Sequence, residues 1–184
     1  MKIMFISLGC DKNLVDTEVM MGHLLRDGYT FTDDEYEAEV IVINSCCFIQ
    51  DAKEESIQTI IDMAQMKTDG KCKALIVAGC LAERYREEIK IEIPEVDGLI
   101  GTASFENINE VVKKALGNSD EKSESFEPLT KLARTDTGRV ITTGGWYSYL
   151  KIAEGCDKHC TYCIIPRIRG NYRSVPMEQL ITEA

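Results

Sequence analysis

The alternation of short apolar runs with helix-length amphipathic segments constrains the fold of this chain more than any other feature. Residues 40–43 and 74–78 are continuous apolar runs, as expected for strands that are buried on both faces. Residues 2–8 and 98–101 form two further strand-like runs. Strands that alternate with helices predict a parallel sheet, and right-handed crossovers make it a doubly wound, flavodoxin-like α/β domain. The predicted helices cover about residues 14–26, 51–67, 82–89 and 105–116.

The length of 184 residues allows one domain and part of a second. Residues 118–127 are polar and acidic, as in a linker. After them, residues 139–143 and 147–153 are strand-like, and a last helix begins near residue 175. We therefore expect a first domain over residues 1–117, a linker over 118–138 and an incomplete second domain over 139–184.

The charge balance argues against a nucleic-acid partner. The chain has 31 acidic and 21 basic residues and a net charge of −10, whereas nucleic-acid affinity comes from a dense basic surface. A basic protein suits this chain better as a partner. No apolar run is long enough for a membrane helix, and the first residues lack the features of a secretion signal, so we expect a cytoplasmic protein without a membrane partner.

Three of the eight cysteines follow predicted strands. Cys10, Cys46 and Cys80 each stand after an apolar run, at the carboxyl edge of the predicted sheet, where ligands bind in open α/β folds. Neighbouring strands are about 4.8 Å apart, so these thiols could share one ion or one small cluster. Cys47 should point the opposite way from Cys46 and pack inside, and Cys72 precedes its strand, at the other edge.

The other three cysteines form one local motif, C-x3-C-x2-C, at Cys156, Cys160 and Cys163. Such a loop can place thiolates at three corners of a cubane iron–sulfur cluster and leaves one iron open, because no fourth cysteine is near. Zinc with His159 as a fourth ligand is the weaker alternative, since the adjacent His and Cys match no common zinc spacing. Residues 155–173 hold four basic residues against one acid, which predicts a positive rim for an anionic cofactor or a reducing partner.

These motifs resemble those of the radical S-adenosylmethionine superfamily and, within it, the methylthiotransferases. Lys12, the Phe48-Ile49 pair and residues 52–56 side with the branch that modifies a ribosomal protein rather than the branch that modifies transfer RNA. Asp11 and Cys47 depart from the usual Pro and Gly of that branch, and residues 142–146 stand where the family tends to carry Pro and His. The resemblance leaves open whether Cys46 or Cys47 is the ligand. The similar segments are residues 7–18, 44–56, 77–85, 149–156 and 163–170.

The resemblance implies two 4Fe-4S clusters. Cys156, Cys160 and Cys163 would hold the one that binds and reductively cleaves S-adenosylmethionine, with Tyr162 near the adenine. Cys10, Cys46 and Cys80 would hold the second cluster, which carries the sulfur to be transferred.

The ribosomal branch methylthiolates the β-carbon of an aspartate in protein twelve of the small ribosomal subunit, using an electron donor such as flavodoxin or ferredoxin. The resemblance also implies that the chain is the N-terminal part of a longer enzyme and ends within the start of a radical S-adenosylmethionine α/β barrel. Two alternatives stay open: a transfer-RNA adenosine methylthiotransferase and a non-catalytic iron–sulfur binding module.

Overall fold

The computed structural model describes residues 1–117, 122–131 and 138–184. Within these residues, the chain forms a six-stranded parallel sheet with helices on both faces and a separate two-stranded antiparallel pair. The strands of the sheet are β1 (Lys2–Ser7), β2 (Thr30–Phe31), β3 (Val40–Ser45), β4 (Ala74–Gly79), β5 (Gly98–Ile100) and β6 (Ser123–Ser125). The antiparallel pair consists of β7 (Ala153–Glu154) and β8 (Arg173–Ser174).

Helices connect most of these strands. None of the helices in the described residues is long and apolar enough to cross a membrane. A short 3-10 turn, Phe105–Asn107, precedes the sixth helix. The helices are α1 (Asp11–Arg26), α2 (Gln50–Ala64), α3 (Met66–Asp69), α4 (Cys80–Arg84), α5 (Arg86–Glu92), α6 (Ile108–Ala115), α7 (Ile165–Ile168) and α8 (Met177–Glu183).

The strand order is β2-β1-β3-β4-β5-β6, and every neighbouring pair in the sheet is parallel. After β1 the chain adds β2 on one side and then returns to add β3 on the other. The order therefore reverses between β1 and β3, which creates a crevice at the carboxyl ends of these two strands. The prediction of a doubly wound, flavodoxin-like parallel sheet is confirmed.

The two central strands are buried along their whole length, because both faces of the sheet are covered. Ile41 and Leu75 face the side that carries α2, α4 and α5, whereas Val42 and Ile76 face α1 and α6. Burying an aliphatic side chain of this size contributes about 1.5–3 kcal/mol. The continuous apolar runs of β3 and β4 thus form two cores, and these cores fix the ends of the strands.

Two regions differ from the sequence prediction. Residues 139–143 and 147–153 were expected as strands, but only the last residue of the second run enters a strand, β7. Part of the expected linker instead forms β6, which pairs with β5 through its backbone. Residues 118–121 and 132–137 of that linker lie outside the described residues. The domain boundaries, and the start of a barrel over 139–184, stay predictions.

Candidate functional site

A cysteine follows each of β1, β3 and β4, at the carboxyl edge of the sheet. Cys10, Cys46 and Cys80, here called the strand-end triad, line one cavity of about 830 Å³. The cavity lies at the crevice between β1 and β3, where open α/β sheets bind their ligands. The structure therefore brings together the three cysteines that strand-end position singled out.

Two glycines allow the strand ends to come this close. Gly9 has a φ of +92°, and a Cβ atom on it would lie 2.6 Å from the Cβ of Cys46. Gly79 has a φ of +90°, and its Cβ would lie 2.3 Å from Oδ1 of Asn44. A residue with a side chain would be strained at both positions and would push the neighbouring strand away. The turns before Cys10 and Cys80 thus depend on glycine.

A buried serine fixes the backbone of Cys46. The Ser56 hydroxyl, on α2, accepts a hydrogen bond from the Cys46 N–H at 2.9 Å and donates one to the Cys46 carbonyl at 2.9 Å. Both backbone groups of Cys46 are therefore satisfied by one side chain. The end of β3 is held to α2 at the point where the thiol enters the cavity.

The three thiols have different surroundings. Cys10 is exposed and stands at the N-cap of α1, whereas Cys46 and Cys80 are buried. Burial raises the pKa of the Cys80 thiol, and the nearby Arg169 guanidinium acts in the opposite direction. A bound metal ion displaces the proton of a thiol, so a buried thiol of this kind remains a competent ligand.

Cys47 and Cys72 lie outside the cavity. Cys47 is buried in the core on the α2 side, where its Sγ is 3.2 Å from the carbonyl oxygen of Cys80. Burial raises the pKa of the Cys47 thiol to about 11. Cys72 is buried at the start of β4, close to the carbonyl of Ala74, and burial raises its pKa too.

Cys156, Cys160 and Cys163, here called the loop triad, lie on one loop after β7. The Cys163 N–H donates to the carbonyl of Cys160 at 3.0 Å, which closes the loop into a turn. His159 has a φ of +47°, in the left-handed region that few residues with side chains adopt. Tyr162 is 89% exposed beside these cysteines. The loop is held at its base, where the Cys156 N–H donates to the carbonyl of Gly170.

The donor chemistry of both triads fits a cubane cluster. Among the described residues, no group of three or more cysteine, histidine or acidic side chains is placed to hold a metal ion. Cubane clusters are held by cysteine thiolates, one at each ligated corner. The strand-end triad surrounds a cavity with room for such a group, and the loop triad has the spacing for one.

A set of buried charges joins α1 to the segment that carries the loop triad. This buried charge network consists of the buried side chains of Asp16, Lys151, Glu154 and Arg169, together with the exposed Lys12, which contacts Glu154. Arg169 donates to Asp16 at 2.7 Å and to Glu154 at 3.1 Å, and Lys151 contacts the same two carboxylates. Burial alone would raise the pKa of Glu154, but the three cations hold it at about 2.

Sequence reasoning missed this network. Arg169 was expected on a positive rim at the surface, but it is 3% exposed and lies beneath the cavity. Its guanidinium also donates to Oδ1 of Asn13 at 2.5 Å, and Asn13 in turn donates to the carbonyls of Leu8 and Ser45. The polar residues of α1 were the available signal in the sequence. The sequence does not show which side of that helix a second segment covers, so it does not show that these residues are buried.

Comparison with protein families identifies the sheet domain. The family described as "Uncharacterized protein family UPF0004" matches residues 2–101, which is more than half of the chain. The chain belongs to the UPF0004 family. The matched region contains the whole strand-end triad and the sheet up to β5.

Curated relatives of this UPF0004 chain carry the name ribosomal protein uS12 methylthiotransferase RimO. The protein from Lachnoclostridium phytofermentans is 65% identical over 100% of the chain. Those from Trichlorobacter lovleyi and Clostridioides difficile are each 49% identical, also over 100% of the chain. The chain covers 40–41% of the length of these relatives. The resemblance to methylthiotransferases of the ribosomal branch is confirmed.

Proposed function

We propose that the chain acts as part of a radical S-adenosylmethionine methylthiotransferase that modifies the β-carbon of an aspartate in ribosomal protein uS12. The observation that carries the proposal is the convergence of Cys10, Cys46 and Cys80 on one cavity, although they are far apart in the sequence. The names of the curated relatives supply the substrate protein and the transferase reaction.

The strand-end triad and the loop triad would each hold one 4Fe-4S cluster, and Tyr162 would lie near the adenine of S-adenosylmethionine. When bound, these groups supply one-electron chemistry and a sulfur atom for transfer. Three protein thiols per cluster leave one iron of each cluster open for a small ligand. Cys46 is the proposed ligand rather than Cys47, because Cys46 lines the cavity and Cys47 is in the core.

The protein groups around the cavity have roles of their own. Phe48, Ile49, Ile165 and Ile168 form apolar parts of the cavity wall. The buried charge network holds the segment that carries the loop triad against α1, through the contacts of Arg169 with Asp16 and Glu154.

The proposed partners follow from charge and substrate. A net charge of −10 suits a basic ribosomal protein and makes nucleic acid a poor partner for this part of the enzyme. A reducing protein such as flavodoxin or ferredoxin would supply the electrons. An enzyme that modifies a ribosomal protein would work in the cytoplasm.

An assay with two substrates tests the proposal. Full-length enzyme, at the length of the relatives, is reconstituted anaerobically with iron and sulfide and supplied with reductant and S-adenosylmethionine. We expect protein uS12 to gain the mass of one methylthio group at an aspartate, and transfer RNA to stay unmodified. Modification of transfer RNA instead would contradict the proposed substrate, and failure to cleave S-adenosylmethionine would favour a non-catalytic iron–sulfur module.

A further inference from the structure

The buried charge network has one more cation than it has carboxylates. Lys12, Lys151 and Arg169 carry three positive charges, whereas Asp16 and Glu154 carry two negative ones. Arg169 and Lys151 are each in contact with both carboxylates, so their charges are matched inside the network. Lys12 shares Glu154 with them, so the network as a whole carries one excess positive charge.

Lys12 differs from the other members of the network in its exposure. Its side chain is 45% exposed, whereas those of Lys151 and Arg169 are 5% and 3% exposed. Lys12 also lines the cavity of the strand-end triad. Arg169 and Glu154 line the same cavity, so the network presents two cations and one carboxylate to it, and Lys12 is the exposed member.

Two contacts of Nζ hold the Lys12 ammonium in place. Nζ donates to the carbonyl of Ala153 at 2.6 Å and lies 3.5 Å from Oε1 of Glu154. An ammonium has three N–H donors, so these two contacts leave one donor for a ligand. Because its ammonium is already held, the Lys12 side chain would lose little conformational entropy when it binds an anion.

The part of the cavity wall that α2 forms carries negative charge. Asp51 and Glu55, both on the first turns of α2, line the cavity and are exposed. They repel an anionic group from the α2 side, while Lys12 attracts it to the α1 side. The cavity therefore has a polarity that orients a ligand with one carboxylate.

We propose that Lys12 binds the side-chain carboxylate of the substrate aspartate and thereby selects this residue for modification. This inference rests on the proposed function, because it assigns a partner to the substrate of the same site. The carboxylate on Lys12 would orient the neighbouring β-carbon towards the strand-end triad. Asparagine, which has the same shape without the charge, would be bound less well.

The test is a double-mutant cycle with uS12 peptides that contain either aspartate or asparagine at the modified position. Full-length enzyme is reconstituted, and kcat and KM are measured for wild type, Lys12→Met, Lys12→Arg and Lys53→Met. Lys53 is a control, because it lies on α2 but does not line the cavity and its ammonium lies over the ring of Tyr85.

For wild type and Lys53→Met, we expect the KM of the aspartate peptide to be about tenfold lower than that of the asparagine peptide. Lys12→Met should raise the KM for the aspartate peptide about tenfold and remove this preference, and Lys12→Arg should keep most of it. Fluorescence anisotropy of the same labelled peptides without S-adenosylmethionine gives a binding readout that does not depend on turnover.

Two results would overturn the inference alone: an active Lys12→Met enzyme that still prefers aspartate, or a Lys12→Met protein that loses iron, which would assign Lys12 to the cluster. A wild-type enzyme that cleaves S-adenosylmethionine but modifies no uS12 peptide would overturn the proposed function, and this inference with it.

Discussion

The two cysteine triads are built in opposite ways. The strand-end triad draws its members from three strands, and they meet because a doubly wound sheet brings β1, β3 and β4 to one edge. The loop triad lies within one motif, C-x3-C-x2-C, and its members are neighbours in any compact conformation of that loop. The first triad therefore depends on the whole fold, whereas the second depends on local spacing and on one loop.

The largest expected effects come from the thiols themselves. Cys46→Ser and Cys160→Ser should each remove about half of the iron and sulfide of the reconstituted protein, since each removes one of three thiolates from a different cluster. Cys47→Ser and Cys72→Ser are matched controls in the core and should keep the full content. Loss of iron in Cys47→Ser, with retention in Cys46→Ser, would reverse the proposed ligand assignment.

The Arg169→Met variant tests the connection between α1 and the segment that carries the loop triad. This change leaves Asp16 and Glu154 buried with one cation fewer, so the free energy of unfolding should fall by about 3–5 kcal/mol. Urea unfolding of the metal-free protein measures this loss. Lys113→Met removes an exposed ion pair with Asp27 and should cost at most about 1 kcal/mol. Equal losses for the two variants would mean that the network does not hold the regions together.

Two glycine substitutions test the two triads separately. Gly9→Ala combines a left-handed φ with a clash on Cys46, so it should lower the free energy of unfolding by about 2–4 kcal/mol and reduce iron at the strand-end triad. Gly155→Ala, whose Cβ would lie 2.1 Å from the carbonyl oxygen of Asn171, should cost about 1–3 kcal/mol and reduce iron at the loop triad.

The control for both is Gly28→Ala, which has a φ of +85° but no atom within 4 Å of the added Cβ. It should cost about 1 kcal/mol and leave the iron content unchanged. If Gly155→Ala reduced iron at the strand-end triad as strongly as Gly9→Ala, the two triads would not be independent.

The fold was largely predictable because its central strands are continuous apolar runs. The predicted bounds of β3 and β4 differ from the observed ones by one or two residues. The edge strands β2 and β6 were missed, since β2 has two residues and β6 consists of Ser-Glu-Ser, which has little strand propensity. Backbone pairing with an existing sheet, which no sequence pattern shows, creates both.

The candidate site was predictable to the same degree. Strand-end position singled out Cys10, Cys46 and Cys80, and strand alternation separated Cys46 from Cys47. The buried charges of Asp16 and Arg169 could not be predicted, because charged residues are mostly exposed and only the contact between α1 and a distant segment buries them. The strands expected over residues 139–143 and 147–153 failed for the opposite reason: of these residues, only Ala153 pairs with another strand in the described part of the chain.

The two hydrogen bonds between Ser56 and the Cys46 backbone bear on how the proposed cluster would enter the protein. In small zinc domains the metal ion has to order its own ligands, and the apo chain is unfolded. Here a hydroxyl has already immobilised the peptide groups on either side of the thiol. Loading of the proposed cluster at this edge of the sheet would therefore need no folding of the Cys46 backbone, and its rate should follow the supply of iron and sulfide rather than the refolding of the chain.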